Sequence, residues 1–275
     1  MEDIFGTSNI YCLCLEGSSR EQKVKERIIN AGFPSLKMLY GVKGKDLTLN
    51  QLQQYTTPRA FRTITHPGKR IAGEDLESVG ALACGLGHRY LWELIVRNGW
   101  KRTILFEDDV TFSKDFTRDV ISEMLKELQI IDPEWEIFSF GHTNRRDQFQ
   151  SKIPNSNHFY KCRGMFYGTA GYMITLEGAQ KLLRNFFPVD VQVDAYMGLI
   201  CDELRKDRVR LYFSDKKIVR QESMFSTQIH HNIFQENLKV AFPDSPVNQV
   251  IIFIILFIIF YLLYKLGKKR GLKKN

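Results

Sequence analysis

The sequence lacks an amino-terminal secretory signal and any Asn-x-Ser/Thr glycosylation site. Residues 1–17 contain no basic start followed by a long apolar stretch, which a signal peptide requires. We therefore expect the folded part of the chain to lie in the cytosol. The five cysteines are an odd number, and most have apolar neighbours, which favours reduced core thiols over a disulfide framework.

Uncompensated positive charge is scarce outside the carboxyl terminus, although the formal net charge is +8. Six basic residues without an acidic neighbour lie in the last eleven positions, which leaves about +2 for the rest of the chain. Such a small excess excludes a basic surface that follows nucleic-acid phosphates. We expect no nucleic-acid partner.

Long apolar runs are absent except for one that precedes this basic tail. Residues 250–264 are apolar or aromatic and uncharged, and a helix over 250–266 is marginally long enough to span a bilayer. A buried core helix is the alternative, but the run is apolar on every side and follows Pro243 and Pro246. Basic residues that flank a membrane span prefer the cytosolic side, and a cytosolic tail would place the folded domain on the opposite side. The orientation therefore stays open. We predict a folded domain over 1–242, a linker over 243–249, a single-pass membrane anchor over 250–266 and a basic tail over 267–275.

Apolar runs alternate with helical patterns through the folded part. Strands are predicted at 10–15, 36–40, 137–141, 159–166 and 170–175, with another beginning at Ile104, and helices at 19–31, 77–98, 114–130 and 176–187. Residues 43–75 and 142–158 show no sustained period and are predicted to be irregular. Alternating strands and helices predict an α/β fold, in which helices flank a layered sheet.

Three consecutive carboxylates, Glu107, Asp108 and Asp109, follow the apolar residues 104–106. Like charges in a row repel one another, so they indicate a bound cation or a solvated turn. Ligands bind outside the carboxyl ends of parallel strands, where carboxylates would suit Mg²⁺ or Mn²⁺ bridging a diphosphate. For the tripeptide alone, an acidic turn before a helix cap is the alternative.

Four segments in order resemble glycosyltransferase family 25, which includes lipopolysaccharide-type galactosyltransferases and collagen hydroxylysine galactosyltransferases. The segments are residues 11–16 with Arg20, 80–88 with Trp92, 107–110, and 171–174 with 178–179 and 188–190. The chain departs from the family pattern at Cys14, Ala83 and Gly87, where Asn, Gly and Ser are usual. The resemblance covers about residues 10–230 and implies a Rossmann-related GT-A fold. It also implies transfer of a sugar from a nucleotide sugar, with inversion at the anomeric carbon.

This chemistry needs a neutralised leaving diphosphate and a base for the acceptor hydroxyl. On an extended strand end Glu107 and Asp109 would face one way, so we predict Asp109 and then Glu107 as ligands of Mn²⁺ or Mg²⁺. We expect Asp108 to bond the ribose or to orient the loop. Asp190 and Asp194 are the candidate bases, with a helix N-cap as the alternative role for Asp190.

Three further residues have two interpretations each. His88 either contacts the nucleotide or acceptor or is a core histidine with satisfied hydrogen bonds. His230 is a candidate metal ligand, because GT-A enzymes often supply a late histidine, although nothing in its spacing requires this role. Arg20 either binds the diphosphate or covers the surface of the first helix.

The function predicted from the sequence is transfer of a hexose, such as galactose or glucose, from a UDP-type nucleotide sugar to a hydroxyl acceptor on a glycan or protein. The first alternative is a catalytically inactive, membrane-tethered scaffold, which the departures at Cys14, Ala83 and Gly87 favour and the intact carboxylates disfavour. A metal-dependent nuclease or phosphatase is the second alternative. Against this alternative, the sequence near the acidic motif lacks the additional carboxylates and basic residues that a two-metal site requires.

Overall fold

The structure is a computed structural model that describes residues 9–66, 74–141, 150–153, 156, 158–216 and 218–222. Its strands are β1 (Asn9–Cys14), β2 (Lys37–Tyr40), β3 (Arg102–Glu107), β4 (Val110–Phe112), β5 (Ile137–Ser139), β6 (Gln150–Lys152), β7 (Phe159–Cys162), β8 (Gly171–Thr175), β9 (Leu211–Ser214) and β10 (Val219–Gln221). Its helices are α1 (Glu21–Asn30), α2 (Leu49–Tyr55), α3 (Pro58–Thr65), α4 (Val79–Asn98), α5 (Arg118–Ile131), α6 (Leu176–Asn185) and α7 (Val193–Leu199), with a 3₁₀ turn at Gly44–Asp46.

Within the described residues, eight strands form one mixed sheet in the order β2-β1-β3-β8-β5-β9-β7-β6. Strand β1 runs parallel to both β2 and β3, as an α/β unit predicts. Strand β8 runs antiparallel to both of its neighbours, β3 and β5. Strands β4 and β10 form a separate antiparallel pair beside the carboxyl end of β3. The prediction of an α/β fold with a sheet flanked by helices is confirmed, and the sheet contains both parallel and antiparallel pairs.

The two faces of the sheet pack against different helices. Ile104 and Phe106 on β3 belong to the apolar core that also contains buried residues of α1 and α5. Because side chains alternate along a strand, Leu105 and Glu107 point to the opposite face. Helix α4 covers that face, where a Cβ at Gly87 would lie 2.7 Å from the side chain of Leu13. The strand thus delivers Glu107 toward α4.

Residues 43–66 are more regular than the sequence analysis predicted. Thr48 is the N-cap of α2, and its side chain accepts a hydrogen bond from the main chain of Gln51 in a capping box. Thr57 is the N-cap of α3, and Pro58 is the first residue of that helix. The prediction of an irregular segment was wrong because both helices are too short to show an apolar period, although their caps were visible in the sequence.

Several elements near the acidic residues also differ from expectation. The β3 strand ends at Glu107, and Asp108 and Asp109 form a turn before β4 rather than continuing the strand. The short elements α7, β4, β9 and β10 were not predicted individually. Because the three carboxylates do not share one extended strand, their side chains are directed by the turn and by neighbouring elements.

Within the described ranges, no helix combines the length and apolarity that crossing a bilayer requires. The candidate anchor at 250–266, the linker at 243–249, the basic tail at 267–275 and His230 lie outside the described residues.

Candidate active site

The candidate site lies where β1 and β3 end and β8 begins. The turn that carries Asp108 and Asp109 follows Glu107 directly. The strand pair β4–β10 lies beside this turn, and the main-chain N–H of Glu222 donates to the carbonyl of Asp109 at 2.8 Å. Residues far apart in the sequence therefore meet around three carboxylates.

Asp109 provides the strongest sign of a cation site. Its Oδ1 atom is buried and has no hydrogen-bond partner among the described residues. Burial, followed by the nearby charges of Glu107 and Asp108, raises the pKa of Asp109 to about 7. An unpartnered buried carboxylate is costly unless it is protonated or bound to a cation. The residues present at this turn therefore fit a hard divalent cation, which prefers oxygen ligands.

Glu107 is surrounded by hydrogen-bond donors. Its Oε1 atom accepts from the hydroxyl of Thr169 and lies 3.2 Å from Nε2 of His88, and Oε2 accepts from Nε2 of Gln221 at 3.0 Å. Burial acts to raise the pKa of Glu107, but the interactions with His88, Thr169 and Gln221 outweigh it, and the pKa lies below its ordinary value. Glu107 is thus a stabilised anion beside Asp109.

Asp108 points away from this pair toward the start of α1. Nη1 of the buried Arg20 lies 3.0 Å from Oδ1 of Asp108, and the thiol of Cys14 contacts Oδ2 at 3.7 Å. Arg20 occupies the N-cap position of α1 but makes no side-chain cap. The Asp108–Arg20 pair therefore orients the loop and places a guanidinium next to the acidic turn. Cys14, one of the departures from the family pattern, contacts the same Asp108 carboxylate.

Asp194 lies in the first turn of α7 and bonds the main chain next to Thr169. Its Oδ2 accepts from the main-chain N–H of Gly168 at 2.8 Å, and Oδ1 accepts from that of Ala195 at 2.7 Å. Gly168 has a φ of 92°, a conformation that favours glycine, and the next residue is Thr169, which bonds Glu107. Burial raises the pKa of Asp194, and the charge of Glu107 adds to this effect.

Asp190 has a different environment. Its carboxylate accepts from the Thr57 hydroxyl and from Nε and Nη2 of Arg59, the latter at 2.7 Å. Arg59 also binds the buried Asp75 at 2.8 Å. Burial acts to raise the pKa of Asp190, but hydrogen bonds from Arg59 and Thr57 and the Arg59 charge lower it overall. Asp190 is not the N-cap of α7, since that position is Gln192, so the helix-cap alternative is wrong.

His88 is completely buried on α4. Its two ring nitrogens face the hydroxyl of Tyr172 and the carboxylate of Glu107. These contacts describe a core histidine with satisfied hydrogen bonds and leave no nitrogen for a nucleotide. Possible ligand atoms of Cys84, His88 and Glu107 lie within 4.8 Å of one another. Both ring nitrogens of His88 already have hydrogen-bond partners, so this group fits a metal poorly.

The structure brings together most of the residues that the sequence singled out. Arg20 bonds Asp108 and His88 bonds Glu107, and Asp194 bonds Gly168, the neighbour of the Glu107 partner Thr169. The contacts of Asp190 run instead to Thr57 and Arg59 near the start of α3. Sequence reasoning did not assign roles to Thr169, Gln221 or Tyr172, which complete the surroundings of Glu107 and His88. Tyr172 lies in a recognised motif, but Thr169 and Gln221 lie in segments without a distinguishing pattern.

Comparison with known proteins gives the family. The sequence model of glycosyltransferase family 25, described as an LPS biosynthesis protein family, matches residues 9–197. A glycosyltransferase 25 family member of Anopheles gambiae is 28% identical over 227 residues, covering 79% of this chain and 36% of the relative. Human procollagen galactosyltransferase 2 is 24% identical over 200 residues, covering 72% of this chain and 29% of the relative. The human inactive glycosyltransferase 25 family member 3 is 24% identical over 206 residues, covering 72% and 31%.

The chain spans about a third of the length of these curated relatives. Among solved structures, a glycosyltransferase involved in glycosylation of the major capsid of PBCV-1 has a TM-score of 0.30 at 12% identity, covering 64% of this chain and 66% of the other. Mouse xyloside xylosyltransferase 1 has a TM-score of 0.31 at 10% identity, covering 70% and 81%. The family match includes β1, α4, the carboxylate turn and the first part of α7. This chain therefore belongs to glycosyltransferase family 25.

Proposed function

We propose that this chain transfers a hexose, such as galactose or glucose, from a UDP-type nucleotide sugar to a hydroxyl group of a glycan or protein. The observation that carries the proposal is the buried carboxylate oxygen of Asp109 beside Glu107, which has no hydrogen-bond partner in the part of the family 25 chain that the structure describes. We propose a GT-A type of fold and an inverting reaction, as the family resemblance implies.

Asp109 and Glu107 would hold Mn²⁺ or Mg²⁺ in this proposal. When bound, the cation supplies positive charge that offsets the negative charge developing on the leaving diphosphate. Asp108 holds Arg20 beside the turn, where its guanidinium can bind a phosphate oxygen. Membership of His230 in the ligand set stays a prediction, since it lies outside the described residues.

Of the two candidate bases, we assign the acceptor proton to Asp194. A general base works best when its pKa is close to the working pH, and burial raises the pKa of Asp194. Asp194 is also linked to Glu107 through the neighbouring residues Gly168 and Thr169. Asp190 is a weaker base because Arg59 and Thr57 stabilise its ionised form. We assign Asp190 to holding α3 in place.

The membrane anchor at 250–266 and a cytosolic location of the catalytic domain remain part of the proposal. The anchor rests on the apolar run and on the basic residues that follow it.

The second candidate function is a catalytically inactive, membrane-tethered scaffold. It is favoured by the similarity to relatives described as inactive and by the departures at Cys14, Ala83 and Gly87. A scaffold role does not account for the cost of keeping three adjacent carboxylates, one of which has a buried oxygen without a partner among the described residues.

The two candidates are separated by assaying the detergent-solubilised chain against a panel of nucleotide sugars. We expect hydrolysis of at least one UDP-sugar, and faster turnover when a hydroxyl acceptor is present, both abolished by excess chelator. The anomeric configuration of the product, followed by proton NMR, tests inversion. Absence of turnover with every donor, by protein that still unfolds cooperatively, would support the scaffold.

A further inference from the structure

A chain of buried hydrogen bonds leads from the interior of the protein to Glu107. Nε1 of Trp92 donates to the hydroxyl of Tyr172 at 3.1 Å. The same hydroxyl lies 2.9 Å from Nδ1 of His88, and Nε2 of His88 lies 3.2 Å from Oε1 of Glu107. Trp92, Tyr172 and His88 are each at most 1% exposed, so water does not compete for these groups.

The hydrogen-bonded residues come from helix α4, strand β8 and the end of strand β3. His88 and Trp92 are four residues apart on α4 and therefore lie on one face of the helix. Tyr172 on β8 pairs in register with Leu105 on β3, and Glu107 is two residues further along the same strand. The period of two places Tyr172, Leu105 and Glu107 on the sheet face that α4 covers.

The chemistry of the groups determines which atom donates and which accepts in each of these hydrogen bonds. The indole N–H of Trp92 can only donate, so the oxygen of Tyr172 must accept from it. The single hydrogen of the Tyr172 hydroxyl is then available to Nδ1 of His88. Nε2 faces an ionised carboxylate, which only accepts, so that nitrogen must carry a hydrogen. The neutral imidazole with its hydrogen on Nε2 satisfies every group, whereas a second hydrogen on Nδ1 would leave the Tyr172 hydroxyl without an acceptor.

These hydrogen bonds determine which oxygen of Glu107 is left for a ligand. Oε1 receives donors from both His88 and Thr169, which fill its two acceptor positions. Oε2 accepts from Gln221 and keeps one acceptor position among the described residues. Glu107 can therefore offer one further contact through Oε2, in a fixed orientation.

We propose that Trp92, Tyr172 and His88 are positioning residues that hold the Glu107 carboxylate in one orientation for the cation site. The inference rests on the proposed function, because it takes Glu107 and Asp109 to be the cation ligands. The three residues act through Glu107 and do not touch the cation or the substrate. Partners that orient a metal ligand commonly contribute about 10- to 100-fold to metal affinity.

The first test uses Tyr172→Phe, which removes one oxygen atom and keeps the aromatic ring. In the metal-free, full-length protein at neutral pH, the ¹⁵N spectrum of His88 should show the Nε2–H tautomer in the wild type. In Tyr172→Phe the Nδ1 resonance should move to the position of an acceptor nitrogen without a hydrogen bond. Calorimetric titration with Mn²⁺ should show affinity about 10-fold weaker than in the wild type.

A second pair of variants guards against simple loss of folding. His88→Ala removes the donor to Glu107, whereas His88→Gln can present an amide N–H near the position of Nε2. We expect His88→Gln to bind Mn²⁺ more tightly than His88→Ala, even if both melt at the same lower temperature. Equal affinities in these two variants would contradict the positioning role.

Cys84→Ser is the matched control, because Cys84 lies next to His88 and Glu107 but takes no part in the hydrogen bonds that link Trp92, Tyr172, His88 and Glu107. It should leave both the His88 spectrum and the Mn²⁺ affinity unchanged, and weaker binding would overturn the proposal in favour of a Cys84–His88–Glu107 metal group. If Asp109→Asn weakens Mn²⁺ binding but Tyr172→Phe and His88→Ala do not, the positioning role fails while the proposed function stands. If the wild type binds no Mn²⁺, both fail.

Discussion

At the scale of single residues, the carboxylate turn places function and stability in opposition. Asp109 holds a buried oxygen with no described partner, next to two other acidic residues. Above its pKa of about 7 Asp109 is an ionised carboxylate, and the charge of Arg20 offsets its burial and its acidic neighbours only in part. Such an arrangement is retained where a ligand supplies the missing charge.

Asp109→Asn should therefore abolish metal-dependent turnover without unfolding the protein. The amide has nearly the same shape and removes the like-charge repulsion, so the melting temperature in chelator at pH 8 should be equal to or higher than that of the wild type. We expect kcat/KM to fall by about 10²-fold or more. Asp115→Asn, at an exposed position outside the site, serves as the control. Full activity of Asp109→Asn would refute the cation assignment.

Asp194→Asn and Asp190→Asn should separate a catalytic from a structural carboxylate. If Asp194 takes the acceptor proton, its amide variant should lower kcat and kcat/KM together by about 10²- to 10⁴-fold, with nucleotide binding nearly unchanged. Asp190→Asn should mainly lower the melting temperature, because it weakens the contacts with Arg59 and Thr57. Steady-state kinetics and thermal unfolding of both variants rank them. The reverse pattern would assign the base to Asp190.

At the scale of elements, charged contacts tie the end of α5 to the start of β9. Asp132 follows α5 and accepts from the Tyr212 hydroxyl at 2.7 Å, and it lies 3.0 Å from Nη1 of Arg210. Burial acts to raise the pKa of Asp132, but these partners and a main-chain hydrogen bond lower it overall. The contacts hold the end of helix α5 against strand β9 of the central sheet.

Asp132→Asn should destabilise the protein by about 1–2 kcal/mol at pH 7. A carboxyl with a lowered pKa in the folded state contributes stability above its ordinary pKa, and this contribution disappears as the pH falls through the folded-state value. The difference from the wild type in denaturant unfolding should hence be largest near pH 7 and shrink below about pH 4. Glu134→Gln is the matched control, because Glu134 pairs with the same Arg210 but is 75% exposed. An equal loss in both variants would contradict this interpretation.

At the scale of the whole molecule, the residues that carry chemistry and those proposed to bind the membrane occupy different parts of the chain. The family match ends at residue 197, whereas the long apolar run and the basic tail lie beyond residue 246. This separation predicts that activity and membrane attachment can be divided.

Truncation after residue 242 should move the protein from the membrane fraction to the soluble fraction and keep transfer to a soluble acceptor. The physical reason is that truncation removes the single long apolar run and the uncompensated basic cluster. Fractionation and activity assays of both forms provide the measurement. Protease added to sealed vesicles should digest the catalytic domain from the cytosolic face. Insolubility after truncation would mean that the apolar run belongs to the core, and protection from protease would reverse the orientation.

Much of the fold and part of the site could be predicted from local patterns. The apolar strands β1, β3 and β8 and the long helix α4 were visible because period and capping are properties of neighbouring residues. The acidic turn and the family motifs located the carboxylates for the same reason. The short helices α2 and α3 escaped because a helix of two turns shows no clear apolar stripe.

Tertiary structure alone decided how these parts meet. The sequence by itself determined an α/β chain with a carboxylate turn after a buried strand and a match to glycosyltransferase family 25. It could not show that β8 runs antiparallel to β3, since a strand buried on both faces is an apolar run in either direction. That pairing brings Tyr172 to His88, which bonds Glu107, and the fold bonds Asp194 to Gly168 while Asp190 bonds Arg59. Which carboxylate is held, paired or left without a partner depends on contacts between residues distant in the sequence, and these exist only once the chain has folded.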